Sequence, residues 1–169
     1  MKKCMLDMKV TDNCRLHHNY CLLKLTADLP LPDMNPGQFV QVRVPNSATT
    51  FLRRPISVNF VDKQTNELWL LIQLVGDGTR KLAEAKTGDL INIVLPLGNG
   101  FSLPNPGESK KLLLIGGGVG TAPMLYLGAR LKEMDMNPHS CWVPVLRMIC
   151  FSWTCLSNTD RYMSQPKMV

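Results

Sequence analysis

Lys111-Leu-Leu-Leu-Ile-Gly-Gly-Gly-Val-Gly-Thr-Ala-Pro-Met124 sets four apolar residues against a run of glycines and a proline. The apolar run has the composition of a buried strand and the glycines that of a tight turn. Pro123 suits a first helical turn, where its missing N–H costs nothing. A strand is therefore expected over residues 111–115 and a helix over 122–134. Strand, turn and helix in that order open a βαβ unit and hence a parallel sheet.

The same glycines carry chemistry. Without side chains, backbone N–H groups can approach a pyrophosphate, and the following helix offers it a positive end. The stretch is not G-x-G-x-x-G, because Thr121 occupies the last glycine position. A tight turn alone does not need four glycines in five positions. Phosphate binding is therefore expected of Gly116, Gly117, Gly118, Val119, Gly120 and Thr121.

Upstream the pattern is different. Short apolar segments at residues 6–10, 20–26, 38–44, 56–60, 67–74 and 90–95 are separated by turn residues such as Pro32-Asp-Met-Asn-Pro-Gly37 and Lys63-Gln-Thr-Asn66. Many short strands with regular turns predict a small antiparallel barrel over residues 1–103. One stretch inside it reads as helix, residues 79–85, directly after Gly76-Asp-Gly78. Ser102-Leu-Pro-Asn-Pro-Gly-Glu-Ser109 has linker composition. The expected division is a barrel to residue 103, the beginning of an α/β nucleotide-binding domain over 104–138, and a tail over 139–169.

Two barrel motifs matter together. Arg54-Pro-Ile-Ser57 by itself is often a strand entry with an exposed cation, and Gly76-Asp-Gly-Thr79 by itself is a modest anion nest. An arginine, a hydroxyl and a helix-opening Gly-Thr on one small barrel are a more specific set. They fit a second pyrophosphate and hydrogen bonds to a flavin ring. Two dinucleotides held face to face would let a hydride pass between them.

Composition sets limits. Lys and Arg number 19 against 13 Asp and Glu, a net charge of +6, but they are scattered without an aromatic-interleaved patch, so no nucleic-acid partner is expected. No run reaches the ~18 apolar residues of a membrane helix, and residues 1–9 have no apolar core of a signal peptide, so a cytoplasmic location and no membrane are expected. The six cysteines lack a disulfide framework, and Cys4, Cys14 and Cys21 read as small buried apolar residues. His17 and His18 point to opposite faces of any strand and read as solvated.

Arg54-Pro-Ile-Ser57, Gly76-Asp-Gly-Thr79, Pro96-Leu-Gly-Asn-Gly-Phe101 and Gly116-Gly-Gly-Val-Gly-Thr-Ala-Pro123 resemble the ferredoxin reductase-like flavoproteins. Within them, the chain to about residue 138 is similar to the electron-transfer subunits of NAD-dependent (class B) dihydroorotate dehydrogenases. The resemblance implies an FAD-binding, Greek-key β barrel followed by an α/β domain. It places Arg54 on the FAD pyrophosphate, with Pro55 and Ile56 beside it and Ser57 near the reactive edge of the isoalloxazine. It runs Leu71, Ile72 and Gln73 along the flavin by their backbone, caps the pyrophosphate with Gly78 and Thr79, and turns Gly116 to Thr121 toward NAD. It also implies an FMN-containing dihydroorotate dehydrogenase catalytic subunit as partner. Electrons would then pass from dihydroorotate through FMN, a 2Fe–2S cluster and FAD to NAD⁺, a step of pyrimidine biosynthesis.

The resemblance stops where the tail begins. Residues 139–169 keep neither helical nor strand periodicity and hold two of the three tryptophans and three of the six cysteines. A reading-frame slip near His139 explains this, because the alternative frame can spell a strand, an acidic helix and a second strand. The expected consequence is a truncated, impaired chain, with NAD binding weak or absent. Cys150 and Cys155 have C-x₄-C spacing, but Asn158 stands where the next iron ligand belongs, so no metal site and no 2Fe–2S cluster are expected here. No catalytic nucleophile or base is expected either, since hydride transfer between bound cofactors requires none. Two other readings fit the same residues: a ferredoxin–NADP reductase or hydrogenase-type flavin subunit, and a cofactor-free barrel acting as a binding module.

Overall fold

The computed structural model describes residues 3–17, 19–45, 47, 50–105, 112–134 and 136, with the backbone of two further strands at 139–143 and 149–152. His18, Lys111, the end of the linker and most of the tail lie outside the described residues.

Six strands form a closed antiparallel barrel in the order β1-β2-β5-β4-β3-β6. They are β1 (Cys4–His17), β2 (Tyr20–Thr26), β3 (Phe39–Val42), β4 (Arg54–Asp62), β5 (Glu67–Gln73) and β6 (Leu90–Leu97). Period-two alternation drives closure. On β5 Leu68, Leu70 and Ile72 are fully buried, and on β6 Ile91, Ile93 and Leu95 are too. With Met8, Leu23, Leu25, Val40, Val42 and Val58 they fill the interior. Each fully buried aliphatic side chain contributes about 1.5–3 kcal/mol.

The first strand is longer than the 6–10 segment predicts, because it serves two neighbours. Its first half pairs with β6 from Cys4↔Leu95 to Lys9↔Leu90, and its second half with β2 from Lys9↔Thr26 to His17↔Tyr20. The polar residues Asp7, Asp12 and Asn13 hide this strand from a hydropathy reading. Cys21 is buried, as expected, whereas Cys4 and Cys14 are only partly so. Burial pushes the Cys21 thiol up to about 11, with Arg15 opposing and Cys14 adding to the shift.

The expected 79–85 helix is α1 (Asp77–Leu82), two residues earlier. Thr79 causes the difference. Its hydroxyl accepts the N–H groups of Val75 and Gly76 and donates to the Gly76 carbonyl, which starts the helix before it. At the other end the Asn13 amide donates to the Ala83 and Ala85 carbonyls, tying α1 to β1.

Beyond the barrel, β7 (Leu113–Gly117) leads through a 3₁₀ turn (Gly118–Thr121) into α2 (Met124–Glu133). Strand β7 pairs in parallel with β8 (His139–Val143), which pairs antiparallel with β9 (Ile149–Ser152). The expected βαβ unit is present. The predicted elements shift by two residues: Gly116 and Gly117 belong to the strand, and Pro123 caps α2 instead of lying within it. Leu127, Leu131 and Met136 pack with Leu112 and Leu114 in a second, smaller cluster. Two strands stand in the tail, where no periodicity was expected; parallel pairing with β7 sets the register of the first. Among the described residues no helix is long and apolar enough to cross a membrane.

Candidate functional site

The two barrel motifs, 19 or more positions apart in sequence, meet in space. A Cβ added to Gly78 would lie 3.3 Å from Cδ and Nε of Arg54 and 3.0 Å from Cγ2 of Thr50. Gly78 is therefore the floor over which the Arg54 side chain passes, and the cradle admits no larger residue without displacing it. Nε and Nη2 of Arg54 donate to the Leu52 carbonyl at 3.2 and 3.1 Å. A guanidinium has five N–H donors, and the pair held by Leu52 fixes the plane in which the rest are presented. The first-turn N–H groups of α1 lie in the same neighbourhood, because Gly78 belongs to that turn. Cation, helix start and missing side chain together suit a pyrophosphate.

Thr79 serves the start of α1 with its side chain. Its hydroxyl is committed to the α1 start, so any contact with an anion would use its backbone N–H. The neighbouring Arg53 is also committed: it donates to the Gln41 and Asn92 carbonyls and to the Asn92 side chain on the barrel wall. Of the two adjacent arginines, only Arg54 faces the Gly78 cradle.

Ser57 and the 71–73 segment mark a seam in the barrel. The β4–β5 ladder has its last partner pair at Val58↔Leu70. From there Arg54–Ser57 run along β3 (Phe39↔Ser57 to Val42↔Arg54), while Leu71 to Gln73 run along β2 (Leu22↔Leu71 to Tyr20↔Gln73). Two strands that part leave a slot between them with main-chain edges on both sides, a shape suited to a flat ring. Ile72 is fully buried, so only its backbone can serve such a ring; Leu71 and Gln73 are partly exposed. Pro55 is exposed and Ile56 is partly buried. The Pro96–Phe101 loop closes the same end, where Leu97 pairs with Phe39 opposite Ser57. Phe101 lies on Gly37, which has φ +90°, so close that a Cβ there would stand 2.8 Å from its ring.

The glycine turn divides its labour. Gly116 is buried, and a Cβ on it would sit 2.9 Å from Cα of Thr121, so the fold of the turn itself requires glycine there. Gly118 has φ +53°, a left-handed conformation. Gly120 faces open space. Gly117 and Val119 are exposed, and the Thr121 hydroxyl donates to the Gly118 carbonyl. Approach by a ligand is therefore open at Gly117 to Gly120, while Gly116 and Thr121 brace each other.

Two residues outside every sequence motif connect the regions. Asn59, 5% exposed, donates from Nδ2 to the Ala122 carbonyl at 2.6 Å. Tyr126 donates its hydroxyl to the Met34 carbonyl at 2.9 Å and meets the Phe60 ring edge-on at 5.8 Å. Burial raises the Tyr126 phenol above its ordinary value, with Arg130 and Lys63 opposing. Among the described residues no three His, Cys, Asp or Glu side chains converge as metal ligands; Cys141, Cys150 and Cys155 have no described side chains.

No family model matches the chain. Among curated proteins it is 38% identical over 125 residues to the dihydroorotate dehydrogenase B (NAD(+)) electron transfer subunit of Bacillus mycoides, covering 74% of this chain and 48% of that protein. It is 33% identical over 165 residues to the subunit of the same name from Bacillus velezensis, covering 97% and 64%. Among solved structures it superposes on an NADH-dependent reduced ferredoxin–NADP oxidoreductase with a TM-score of 0.71, at 25% identity over 83% of this chain and 49% of that one. The chain thus spans about half the length of the first of these relatives. It belongs, over that span, to the family of dihydroorotate dehydrogenase B (NAD(+)) electron transfer subunits, with the barrel of the ferredoxin reductase-like fold.

Proposed function

We propose that this chain carries the FAD-binding part of an electron transfer subunit linking a dihydroorotate-oxidising partner to NAD⁺. The observation that carries the reading is the meeting of Arg54 with Gly78 at the end of the barrel where β4 and β5 separate. Bound FAD would supply the redox chemistry, and the protein supplies binding, orientation and electrostatics. Arg54 and the first turn of α1 hold the pyrophosphate. Ser57 and the backbone of Leu71 to Gln73 line the slot for the ring, and Gly78 keeps the cradle open. In the second unit, from residue 104, Gly117 to Gly120 face the nicotinamide dinucleotide on a turn braced by Gly116 and Thr121, and this chain holds it weakly or not at all. The partner is an FMN-containing catalytic subunit in a cytoplasmic complex; the 2Fe–2S cluster that the family places between the two flavins is not expected on this chain, where Asn158 stands at a ligand position. The relatives' shared name favours this over a ferredoxin–NADP reductase.

The test is an absorbance spectrum of the purified chain, followed by identification of released flavin. Flavin bands and released FAD are expected. Arg54→Ala should weaken FAD binding about tenfold or more, the loss of charge-assisted hydrogen bonds worth about 1.5–3 kcal/mol. A folded, colourless protein that takes up no added FAD would favour a cofactor-free binding module instead.

A further inference from the structure

Strand β4 carries more than the flavin motif. Two residues after Ser57, the β4–β5 register shifts between Val58 and Phe60, and Asn59 is the extra residue of that bulge. A bulge re-aims a side chain. Here Val58 and Val61 point into the barrel, while Phe60 packs against Trp69 and Tyr126 on the outer wall. Asn59 reaches across to the second unit and meets the Ala122 carbonyl.

Ala122 is the residue directly after the glycine turn, is 1% exposed, and precedes a proline that has no N–H to offer. A buried carbonyl needs a donor. Asn59 supplies one from the barrel, and the residue is itself buried. The turn's own bonds, Ala122 N–H to Val119 and the Thr121 hydroxyl to Gly118, fix its internal shape but not its place relative to β4.

We infer that Asn59 is a positioning residue: its amide sets the glycine turn at a fixed place relative to Arg54–Ser57, so that one strand registers both cofactor sites. The cofactor assignment rests on the proposed function, but the positioning of the turn does not.

Hydrogen exchange read by mass spectrometry on the full chain tests it, with flavin content measured on the same samples. Asn59→Leu keeps the shape and removes the donor. It should lower protection over residues 118–127 about tenfold, as expected when a buried acceptor is left unpaired, while the barrel strands and the flavin content stay as in the wild type. Asn59→Asp adds a readout that general loosening would not give. An ionised carboxylate cannot donate to Ala122, but its protonated form can. Protection relative to wild type should therefore be lost at neutral pH and regained on acidification. Unchanged protection in both variants would overturn the inference, whatever the flavin content. If Asn59→Leu loosens the whole chain, recovery of Asn59→Asp in acid supports the inference and its failure to recover overturns it. A colourless wild type would count against the proposed function alone.

Discussion

In the barrel every strand has a hydrogen-bonded neighbour on each side, whereas β7 ends a sheet in which, among the described residues, only β8 pairs with it. The barrel core is sealed all round, with more than a dozen side chains at 0% exposure. The second unit has one covered face. Helix α2 lies over Leu112 and Leu114, while Leu113 and Ile115 on the other face are 62% and 61% exposed. The difference is one of dependence. The barrel generates its own core by closing on itself, and the second unit borrows its anchors: Tyr126 packs into the barrel's cluster, and the carbonyl after the glycine turn is satisfied by Asn59. A site built between the two inherits its geometry from the barrel side.

That contrast can be broken in graded steps. The largest effect is expected at Leu70, fully buried at the centre of β5. Leu70→Ala should cost about 2–5 kcal/mol in urea unfolding and take the whole chain down together. Leu131→Ala, in the smaller cluster under α2, should cost about 2 kcal/mol, the low end for a buried leucine, seen as faster exchange in α2 with the barrel transition little moved. Equal losses in both variants would make the two regions one cooperative unit.

Tyr126→Phe removes the hydroxyl bond to Met34 and should cost about 1 kcal/mol. It also carries a pH signature. The folded phenol titrates above its ordinary value of 10.0, so the unfolded state ionises first. Stability from this group is complete below pH ~10 and falls as pH rises through the folded value. Thermal melts across alkaline pH should show that decline in the wild type and a shallower one in Tyr126→Phe. The smallest effect belongs to the open face. Leu113→Thr or Ile115→Thr should change stability by no more than about 0.5 kcal/mol. A loss several times larger would mean that this face is covered in the intact protein.

Sequence patterns located the barrel strands because alternation of buried and exposed residues is a local property, and β2 is found with both predicted ends (Tyr20–Thr26). They located the glycine turn because its composition is rare. They were blind to what closes the structure. The doubling of β1 is written in its partners, Leu95 and Thr26, and the seam between β4 and β5 appears only once both ladders are known. Asn59 looked like an ordinary strand residue, since its acceptor is 63 positions away and its orientation comes from a bulge. Arg53 and Arg54 have the same chemistry; the Arg-Pro-Ile-Ser motif singles out Arg54, and the fold sends Arg53 to the barrel wall and Arg54 over Gly78.

The 63-residue span between Asn59 and Ala122 also has a meaning in time. A ribosome adds about 5–20 residues each second, so β4 is made roughly 3–13 s before the residue its amide will hold. Through that interval the amide must stay with water, and an apolar side chain in its place would invite the nascent outer wall to stick elsewhere. A polar residue at this bulge can stay hydrated until the second unit arrives to cover it.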